Sequence, residues 1–157
     1  MGLEIERKFL VLNTEFKEDS FQKKYLKQGY LNTDKERTVR VRIANQKAFI
    51  TIKGKSNKSG TTRFEWEKEI AITDAEQLLL LCEDSIVEKY RYFIKNDAYI
   101  FEVDEFLGEN NGLILAEIEL DTEHTNFNKP DWLDKEVTGE IKYYNSYICK
   151  NPFKTWE

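Results

Sequence analysis

Residues 3–11 read LEIERKFLV, a stretch in which charged and apolar side chains alternate. Because successive side chains of a strand point to opposite faces, Glu4, Glu6 and Lys8 would form one charged row, with Ile5 and Phe9 in an apolar row behind it. A half-buried strand usually shows uncharged polar residues to water, so a face on which every side chain is ionisable is unusual. Carboxylates beside an ammonium group indicate a place where a metal ion and an anion meet.

The same alternation predicts a succession of further strands. We expect them over residues 25–32, 37–44, 47–53, 62–72, 86–94 and 99–107, with a last one around residues 116–120. Asn45-Gln46 and Asn96-Asp97 fit tight turns between neighbouring strands. Strands joined by hairpins, with few helices, indicate an antiparallel α+β protein.

Two other segments are predicted to be helical. Thr73 with Glu76 three residues later fits a capping box, and the apolar residues that follow predict a helix over residues 75–82. Residues 142–150 also have a helical pattern, with an aromatic face. We expect this C-terminal part of the chain to pack on the sheet or to cap it.

The composition bounds the class of protein. The chain has 157 residues, of which 40% are hydrophobic and 34% charged, which is enough apolar mass for one domain spanning residues 1–157. Its 29 acidic residues outnumber its 24 basic ones, giving a formal net charge of −5. A non-specific nucleic-acid binder would carry a basic excess, so long RNA or DNA is not an expected partner.

The apolar stretches and the few cysteine and histidine residues bear on the cellular location and on disulfide or zinc sites. No apolar stretch approaches the roughly eighteen residues of a membrane-spanning helix, and the start lacks the pattern of a signal peptide, so we expect a cytoplasmic protein with no membrane partner. Cys82 and Cys149 are far apart and His124 is the single histidine, so neither a disulfide framework nor a zinc site is predicted. Trp132 and Trp156 fit either a homodimer interface or internal packing.

Taken singly, each charged row has the ordinary explanation that it faces solvent. The repetition of the pattern over about seven strands has another explanation. If the sheet closes into a barrel, all the rows face one lumen and the apolar rows face outward beneath the helices. The basic members are Lys8, Arg40, Arg42, Lys53, Arg63, Lys89 and Arg91, and the acidic members are Glu4, Glu6, Glu65, Glu67, Glu102, Asp104, Glu117 and Glu119.

A lumen of this kind is too polar to be a folding core. Burying an unpaired charge costs several kcal/mol, so the charged groups must pair with one another, stay hydrated or hold a ligand. Arginine and lysine side chains neutralise and orient phosphoryl oxygens, and clustered carboxylates supply the hard oxygen ligands that Mg²⁺ or Mn²⁺ prefers. The two sets together fit a polyphosphate with its divalent metals, and no serine, cysteine or histidine nucleophile is needed.

Seven short motifs along the chain resemble those of a known protein family. Residues 4–8 match the ExExK signature of the CYTH superfamily, also called triphosphate tunnel metalloenzymes, and the order continues through RVRI, TIKGK, RFEWE, EKYR, EVDEF and LAEIEL. The chain looks most like the short bacterial members, which include inorganic tripolyphosphatases. The resemblance implies a closed antiparallel eight-stranded β-barrel, with helices packed outside, that binds a triphosphate together with Mg²⁺ or Mn²⁺.

The resemblance also assigns roles to the two charged sets. The triphosphate would be held by Lys8, Arg40, Arg42, Lys53, Arg63, Lys89 and Arg91. The leading metal ligands would be Glu4, Glu6, Glu117 and Glu119, while Glu65, Glu67, Glu102 and Asp104 would ligate metal or orient the basic residues and water. Tyr30 matches a position that some relatives pair with the residue at Lys89 to activate water, so the catalytic candidates are Lys89, Tyr30, Glu65 and Glu67. The alternative for Tyr30 is a purely structural role as an aromatic packing residue.

Residues 136–148, EVTGEIKYYNSYI, resemble the segment that closes the tunnel in such proteins, with Lys142, Tyr143 and Asn145 at matching positions. One departure is the run Glu140-Ile141-Lys142, where relatives commonly carry an Asp-Pro-Arg-like run.

The leading hypothesis is metal-dependent hydrolysis of inorganic tripolyphosphate, by attack of water on a terminal phosphoryl group. A class IV adenylate cyclase and a thiamine triphosphatase share the same strand motifs and are the enzymatic alternatives. The non-enzymatic alternative is a polyphosphate or nucleotide sensor that binds without turnover.

Overall fold

A single antiparallel sheet dominates the computed structural model, which describes residues 2–156 except 33 and 35. Within that part of the chain, nine strands are present: β1 (Gly2–Val11), β2 (Gln22–Asn32), β3 (Arg37–Ala44), β4 (Lys47–Gly54), β5 (Thr62–Ile70), β6 (Glu83–Asn96), β7 (Tyr99–Phe106), β8 (Ile114–Glu119) and β9 (Leu133–Glu136).

The sheet closes on itself through its first strand. The strand order is β5-β4-β3-β2-β6-β7-β8-β1, and β1 then pairs with β5 through residues 2–5, so that these eight described strands form a closed antiparallel barrel. Residues 6–10 of β1 pair with β8, and the short β9 pairs with β1 at Phe9 and Val11. This arrangement confirms the predicted closed eight-stranded barrel. Closure also leaves the barrel without an unpaired sheet edge.

The charged rows face the inside of the barrel. On β1, Glu4 and Lys8 are each 7% exposed, whereas Leu3, on the opposite face, is 71% exposed. Arg40 on β3 and Arg91 on β6 are also buried. This is the reverse of a solvated charged face, so the ordinary explanation of the charge pattern is wrong for these strands.

Apolar packing lies outside the barrel and at one end. One cluster, which includes Phe9, Phe16, Phe101 and Trp132, covers β1, β6, β7 and β8. A second cluster joins Phe106 and Leu115 to the C-terminal segment, and a third lies beneath the helix that follows β5. Trp132 packs edge-on against Phe16 and Phe101, so this tryptophan is an internal packing residue.

The helices are short: α1 (Phe16–Asp19), α2 (Ile72–Leu79) and α3 (Asn145–Ile148). The predicted capping box is wrong, because α2 follows Ala71, has no side-chain cap and contains Thr73 within its first turn. Ala75 and Leu79 are the buried residues of α2, so they define the side of the helix that packs on the sheet. The helix predicted over residues 142–150 is a 3-10 turn followed by the four-residue α3. Among the described residues, none of the helices has the length and apolarity needed to cross a bilayer.

Candidate active site

The barrel encloses a cavity of about 350 Å³ whose wall is made of the predicted charged residues. The predicted residues that line it are Glu4, Glu6, Lys8, Tyr30, Arg40, Arg42, Lys53, Arg63, Glu65, Glu67, Arg91, Glu102, Glu117 and Glu119. The remaining two, Lys89 and Asp104, lie behind this wall and are almost completely buried. The structure therefore brings the residues of all seven sequence motifs together around one space.

Behind the wall, Asp104 organises the basic residues of β6. Its two carboxylate oxygens accept hydrogen bonds from Arg91 Nε and Nη2 at 2.7 and 2.8 Å, and Lys89 Nζ lies 2.7 Å from Oδ2. Burial alone would raise the pKa of Asp104, but the charges of Arg91 and Lys89 lower it to about 2. Its carboxylate is therefore ionised and engaged by two cations.

Lys89 has an unusually low proton affinity for a lysine. Burial lowers its pKa to about 7, because the attraction of Asp104 only partly offsets the loss of water and the charges of Arg91 and Arg42 add to it. Its ammonium also donates to Asn145 Oδ1 at 2.9 Å. The side chain is thus fixed by one partner on β7 and one on α3.

Two arginines of β3 are held by neutral groups. Arg40 Nη2 donates to Thr51 Oγ1 at 3.2 Å, and Arg42 Nε donates to Gln28 Oε1 at 2.7 Å. Burial and the charges of Arg40 and Arg91 lower the pKa of Arg42 to about 9, which leaves it charged at neutral pH. Arg40 Nε is buried and has no hydrogen-bond partner within the described part of the chain. Since an orphaned buried donor is costly, this position favours a bound anion.

The carboxyl groups on the facing strands occur in close pairs. Glu4 lies 3.0 Å from Lys53 Nζ, which also lies 3.4 Å from Glu65. Burial, a hydrogen bond with Glu4 and the charge of Glu4 raise the pKa of Glu65 to about 7. Burial would also raise the pKa of Glu4, but the hydrogen bond with Glu65 and the charge of Lys53 hold it below its ordinary range. One proton is therefore shared between these two carboxyl groups.

Glu6 and Glu117 form a second pair. Burial and the charges of Glu117 and Glu4 raise the pKa of Glu6 well above its ordinary value. Burial opposes ionisation of Glu117 as well, but the charges of Lys8 and Arg91 hold its pKa below the ordinary range. Nearby, burial with the charges of Glu4 and Glu102 raises the pKa of Glu119.

This donor set fits a divalent cation by its chemistry. Carboxylate oxygens are the ligands that Mg²⁺ and Mn²⁺ prefer, and a cation can take the place of the proton shared within a carboxyl pair. Among the described residues, no three carboxylate, imidazole or thiol groups are already arranged as a metal site. Binding would therefore deprotonate the pairs and draw their oxygens together.

One end of the tunnel is closed by the segment that follows β9. Tyr144, Asn145 and Ser146 line the cavity, and the backbone oxygen of Tyr143 accepts a hydrogen bond from Lys8 Nζ at 2.9 Å. The Tyr144 ring lies 5.3 Å from Lys8 Nζ. Lys142 is exposed and lies over the Trp156 ring instead, so its match to the resembling segment does not bring it to the cavity.

Several residues of the site were not selected from the sequence. Gln28 and Thr51, which hold the arginines, and Tyr144, which lines the cavity, carry no charge and were given no role, although Thr51 begins the quoted TIKGK stretch and Tyr144 lies within residues 136–148. The inward side of each strand was the available signal, because Gln28 and Thr51 alternate in phase with inward-facing neighbours. Tyr144 lies outside the barrel strands, so strand alternation does not report it, and its only signal is its place in the segment of residues 136–148 that resembles the closing segment.

The fold and the site together define a class: closed antiparallel barrels whose interior is a charged tunnel instead of an apolar core. A sequence profile described as the CYTH domain matches residues 2–146. Over 159 residues, the chain is 47% identical to an inorganic triphosphatase of Acetivibrio thermocellus, with 100% of this chain and 99% of that protein covered. It is also 37% identical to an inorganic triphosphatase of Nitrosomonas europaea, with 93% and 96% covered.

Solved structures agree with this assignment. The crystal structure of an inorganic triphosphatase is similar to this fold with a TM-score of 0.66 at 35% identity, and 93% of each chain is covered. The chain belongs to the CYTH family.

Proposed function

We propose that this protein is a metal-dependent triphosphatase that hydrolyses inorganic tripolyphosphate by attack of water on a terminal phosphoryl group. The observation that carries the proposal is the presence of a basic set and a carboxylate set around one cavity of about 350 Å³. The buried, unsatisfied Arg40 Nε favours an anion as the occupant. The two relatives described above, both inorganic triphosphatases, support the same activity.

The basic residues bind the triphosphate in this proposal. Arginine forks suit the phosphoryl oxygens, and lysines add point charges. The binding set comprises Lys8, Arg40, Arg42, Lys53, Arg63, Lys89 and Arg91. Asp104 holds two of these cations through its contacts with Arg91 and Lys89, so we assign it to their orientation.

The carboxylates hold Mg²⁺ or Mn²⁺. Glu4, Glu6, Glu117 and Glu119 are the leading ligands, and Glu102 lines the same space. A divalent ion held by these residues would supply positive charge for the phosphoryl oxygens and would lower the pKa of a bound water. The chain itself positions the phosphates, excludes bulk water from a mostly enclosed tunnel and supplies proton acceptors near the reacting end.

The candidates for handling the proton of the attacking water are Lys89, Tyr30, Glu65 and Glu67. Glu65 has a pKa of about 7 because of burial and its hydrogen bond with Glu4, so it exchanges a proton near neutral pH. Lys89 also has a pKa of about 7, because burial disfavours its ammonium form. A group whose pKa lies near the working pH is best suited to general acid–base catalysis.

A substrate panel with product identification tests the proposal. Purified protein is incubated with tripolyphosphate, ATP or thiamine triphosphate in the presence of Mg²⁺, Mn²⁺ or a chelator, and phosphate, diphosphate and cyclic AMP are quantified. We expect phosphate release that depends on the metal and is fastest with tripolyphosphate. Cyclic AMP as the main product from ATP would instead identify a cyclase, and tight binding of tripolyphosphate by calorimetry without turnover of any substrate would identify a sensor.

A further inference from the structure

Two lysines, on strands that β7 and β8 separate in the barrel, end their side chains on the same short segment. Lys8, on β1, donates to the backbone oxygen of Tyr143, and Lys89, on β6, donates to the side-chain oxygen of Asn145, both at 2.9 Å. Each lysine also faces a carboxylate, Glu117 at 3.6 Å and Asp104 at 2.7 Å respectively. Residues 143–145 therefore contact the tunnel's cations directly as well as covering its end.

The hydrogen bond between Lys89 and Asn145 fixes the orientation of the ammonium group more strictly than the ion pair between Lys89 and Asp104 does. An ammonium group has three donors and no acceptor, so the amide must present its oxygen to Lys89. With Asp104 and Asn145 each occupying one donor, the direction of the third N–H is set by geometry. Without Asn145, the hydrogen-bond partner left at the tip of the flexible lysine stem among the described residues would be Asp104, which Arg91 also engages through both carboxylate oxygens, and the Phe106 ring would remain 5.0 Å from Nζ.

The segment that carries Asn145 is anchored independently of this hydrogen bond. Ile148 and Cys149 are buried in the cluster at the tunnel's end, and the backbone oxygen of Cys149 accepts hydrogen bonds from Ser85 N–H and Oγ, on β6. The peptide N–H of Cys149 in turn bonds to the backbone oxygen of Asn145. We therefore expect removal of the Asn145 amide to leave the segment in place while it removes one partner of Lys89 and one group from the cavity wall.

We infer that Asn145 is a positioning residue, which acts through Lys89: it fixes the lysine ammonium behind the cavity wall and so sets the direction in which that charge faces the triphosphate. The inference rests on the proposed triphosphatase activity. A purely structural role, in which Asn145 only satisfies a buried ammonium, would appear as lost stability with unchanged turnover.

The test compares Asn145→Ala with Asn151→Ala, which removes the same type of side chain from the same C-terminal region. Within the described part of the chain, the Asn151 amide donates to the Tyr147 backbone oxygen, and the backbone oxygen of Asn151, which alanine keeps, accepts from Trp156 Nε1. We expect Asn145→Ala to lower kcat for tripolyphosphate about 10- to 100-fold, the range for losing a hydrogen bond to a charged group, with KM changed less than about threefold. Asn151→Ala should keep the kcat of the wild type. Equal kcat values for the two variants would overturn the inference.

A double-mutant cycle decides whether the effect passes through Lys89. Adding Asn145→Ala to Lys89→Ala should cause no further loss of kcat, whereas an equal loss in both backgrounds would show that Asn145 acts independently and would overturn the inference. If Asn145→Ala is unfolded by circular dichroism, Asn145→Asp replaces it. This variant keeps an oxygen for Lys89 and should retain most of kcat while raising KM through its added negative charge, so a kcat reduced 10-fold or more at full folding would count against positioning.

The wild-type measurement separates this inference from the proposed function. Failure of the wild-type protein to hydrolyse any triphosphate defeats the proposed activity, and with it the role of Asn145 in that activity. If the wild type is active and the folded Asn145→Ala variant turns over at the same rate, the positioning role is refuted while the proposed activity stands.

Discussion

At the scale of single residues, the tunnel keeps carboxyl groups side by side by sharing protons. Burial and the charges of Glu117 and Glu4 raise the pKa of Glu6 well above its ordinary value, while the charges of Lys8 and Arg91 hold the pKa of Glu117 below its ordinary range despite burial, so that Glu6 keeps a proton more readily than Glu117. A shared proton removes the repulsion that two buried carboxylates would feel. The same oxygens become ligands once a cation replaces the proton, so the protonated pair is a stable resting form of a metal site.

Replacing Glu6 with Gln should separate folding from metal-dependent activity. The amide imitates the protonated carboxyl that the fold already contains, so we expect a melting temperature within a few degrees of the wild type. Because the amide cannot provide a carboxylate to a metal, Mg²⁺-dependent hydrolysis should fall by more than about 100-fold. Glu36→Gln, at a surface glutamate that lies 3.8 Å from Lys55, is the matched control and should keep full activity. Unchanged activity of Glu6→Gln would refute metal ligation by Glu6.

The Glu4–Glu65 pair predicts a pH dependence of stability. Burial, the hydrogen bond with Glu4 and the charge of Glu4 raise the pKa of Glu65 from its ordinary value of 4.5 to about 7. Between these two values the folded protein binds a proton that the unfolded chain has released, so this contribution to the free energy of unfolding falls as the pH rises from about 4.5 and is fully lost above about 7.

The variant Glu65→Gln isolates this effect, because its amide donates to Glu4 at every pH. We expect its free energy of unfolding, measured with urea at pH 5, 6, 7 and 8, to increase relative to the wild type as the pH rises. A difference between the two proteins that stays constant over this range would mean that Glu65 ionises at its ordinary pKa in the fold.

At the scale of elements, the strands could be predicted from the sequence, whereas the start of helix α2 and the contacts of the C-terminal segment could not. A period of two with one ionisable face is a strong signal: β3 has the bounds that the alternation indicates, and β5 begins where predicted but ends at Ile70, two residues early, because α2 begins at Ile72. The start of α2 was mispredicted because burial of Ala75 and Leu79 outweighs the capping preference of Thr73. The bond between Lys89 and Asn145 joins residues 56 positions apart, and no local pattern reports such a contact.

A contact between two loops at the closed end allows a sharp test at this scale. Gly60, in the β4–β5 loop, has a φ of +79°, and a Cβ added to it would lie 2.4 Å from Gly139 Cα and 3.2 Å from Tyr144 Oη. Gly60→Ala must therefore force the loop away from the closing segment. Gly108→Ala is the matched control, because Gly108 has a φ of +60° but no atom within 4 Å of the added Cβ.

Both alanine variants carry the strain of a positive φ, which costs about 1 kcal/mol or somewhat more. Overpacking adds roughly 1–3 kcal/mol for Gly60→Ala alone, so its free energy of unfolding in urea should lie below that of Gly108→Ala by this amount. We also expect a higher KM for tripolyphosphate, since Tyr144 lies next to Lys8 in the cavity wall. Equal stability of the two variants would show that the loop yields without cost.

At the scale of the whole molecule, an acidic protein concentrates positive charge in its interior. The formal net charge is −5, yet Arg40, Arg42 and Arg91 converge on one cavity, and the first two have neutral hydrogen-bond partners. The apolar clusters outside the barrel provide the hydrophobic stability, as the outward rows of the strands predicted. Which cations would pair with carboxylates and which would be left for a ligand depends on the register of the strands, and the sequence pattern does not supply it.

Mutual repulsion of these buried cations predicts that a polyanion stabilises the fold. Without added metal, so that the ligand is not consumed, tripolyphosphate at about 100 times its dissociation constant should add about 2.7 kcal/mol and raise the melting temperature by roughly 5–10 °C. Orthophosphate at the same ionic strength should shift it far less, because a single phosphate spans fewer of the cations. Arg40→Ala removes the orphaned guanidinium donor and should reduce the tripolyphosphate shift. An equal shift in this variant would place the bound anion away from Arg40, and the loss of the wild-type shift on raising salt to 0.5 M would identify the interaction as electrostatic.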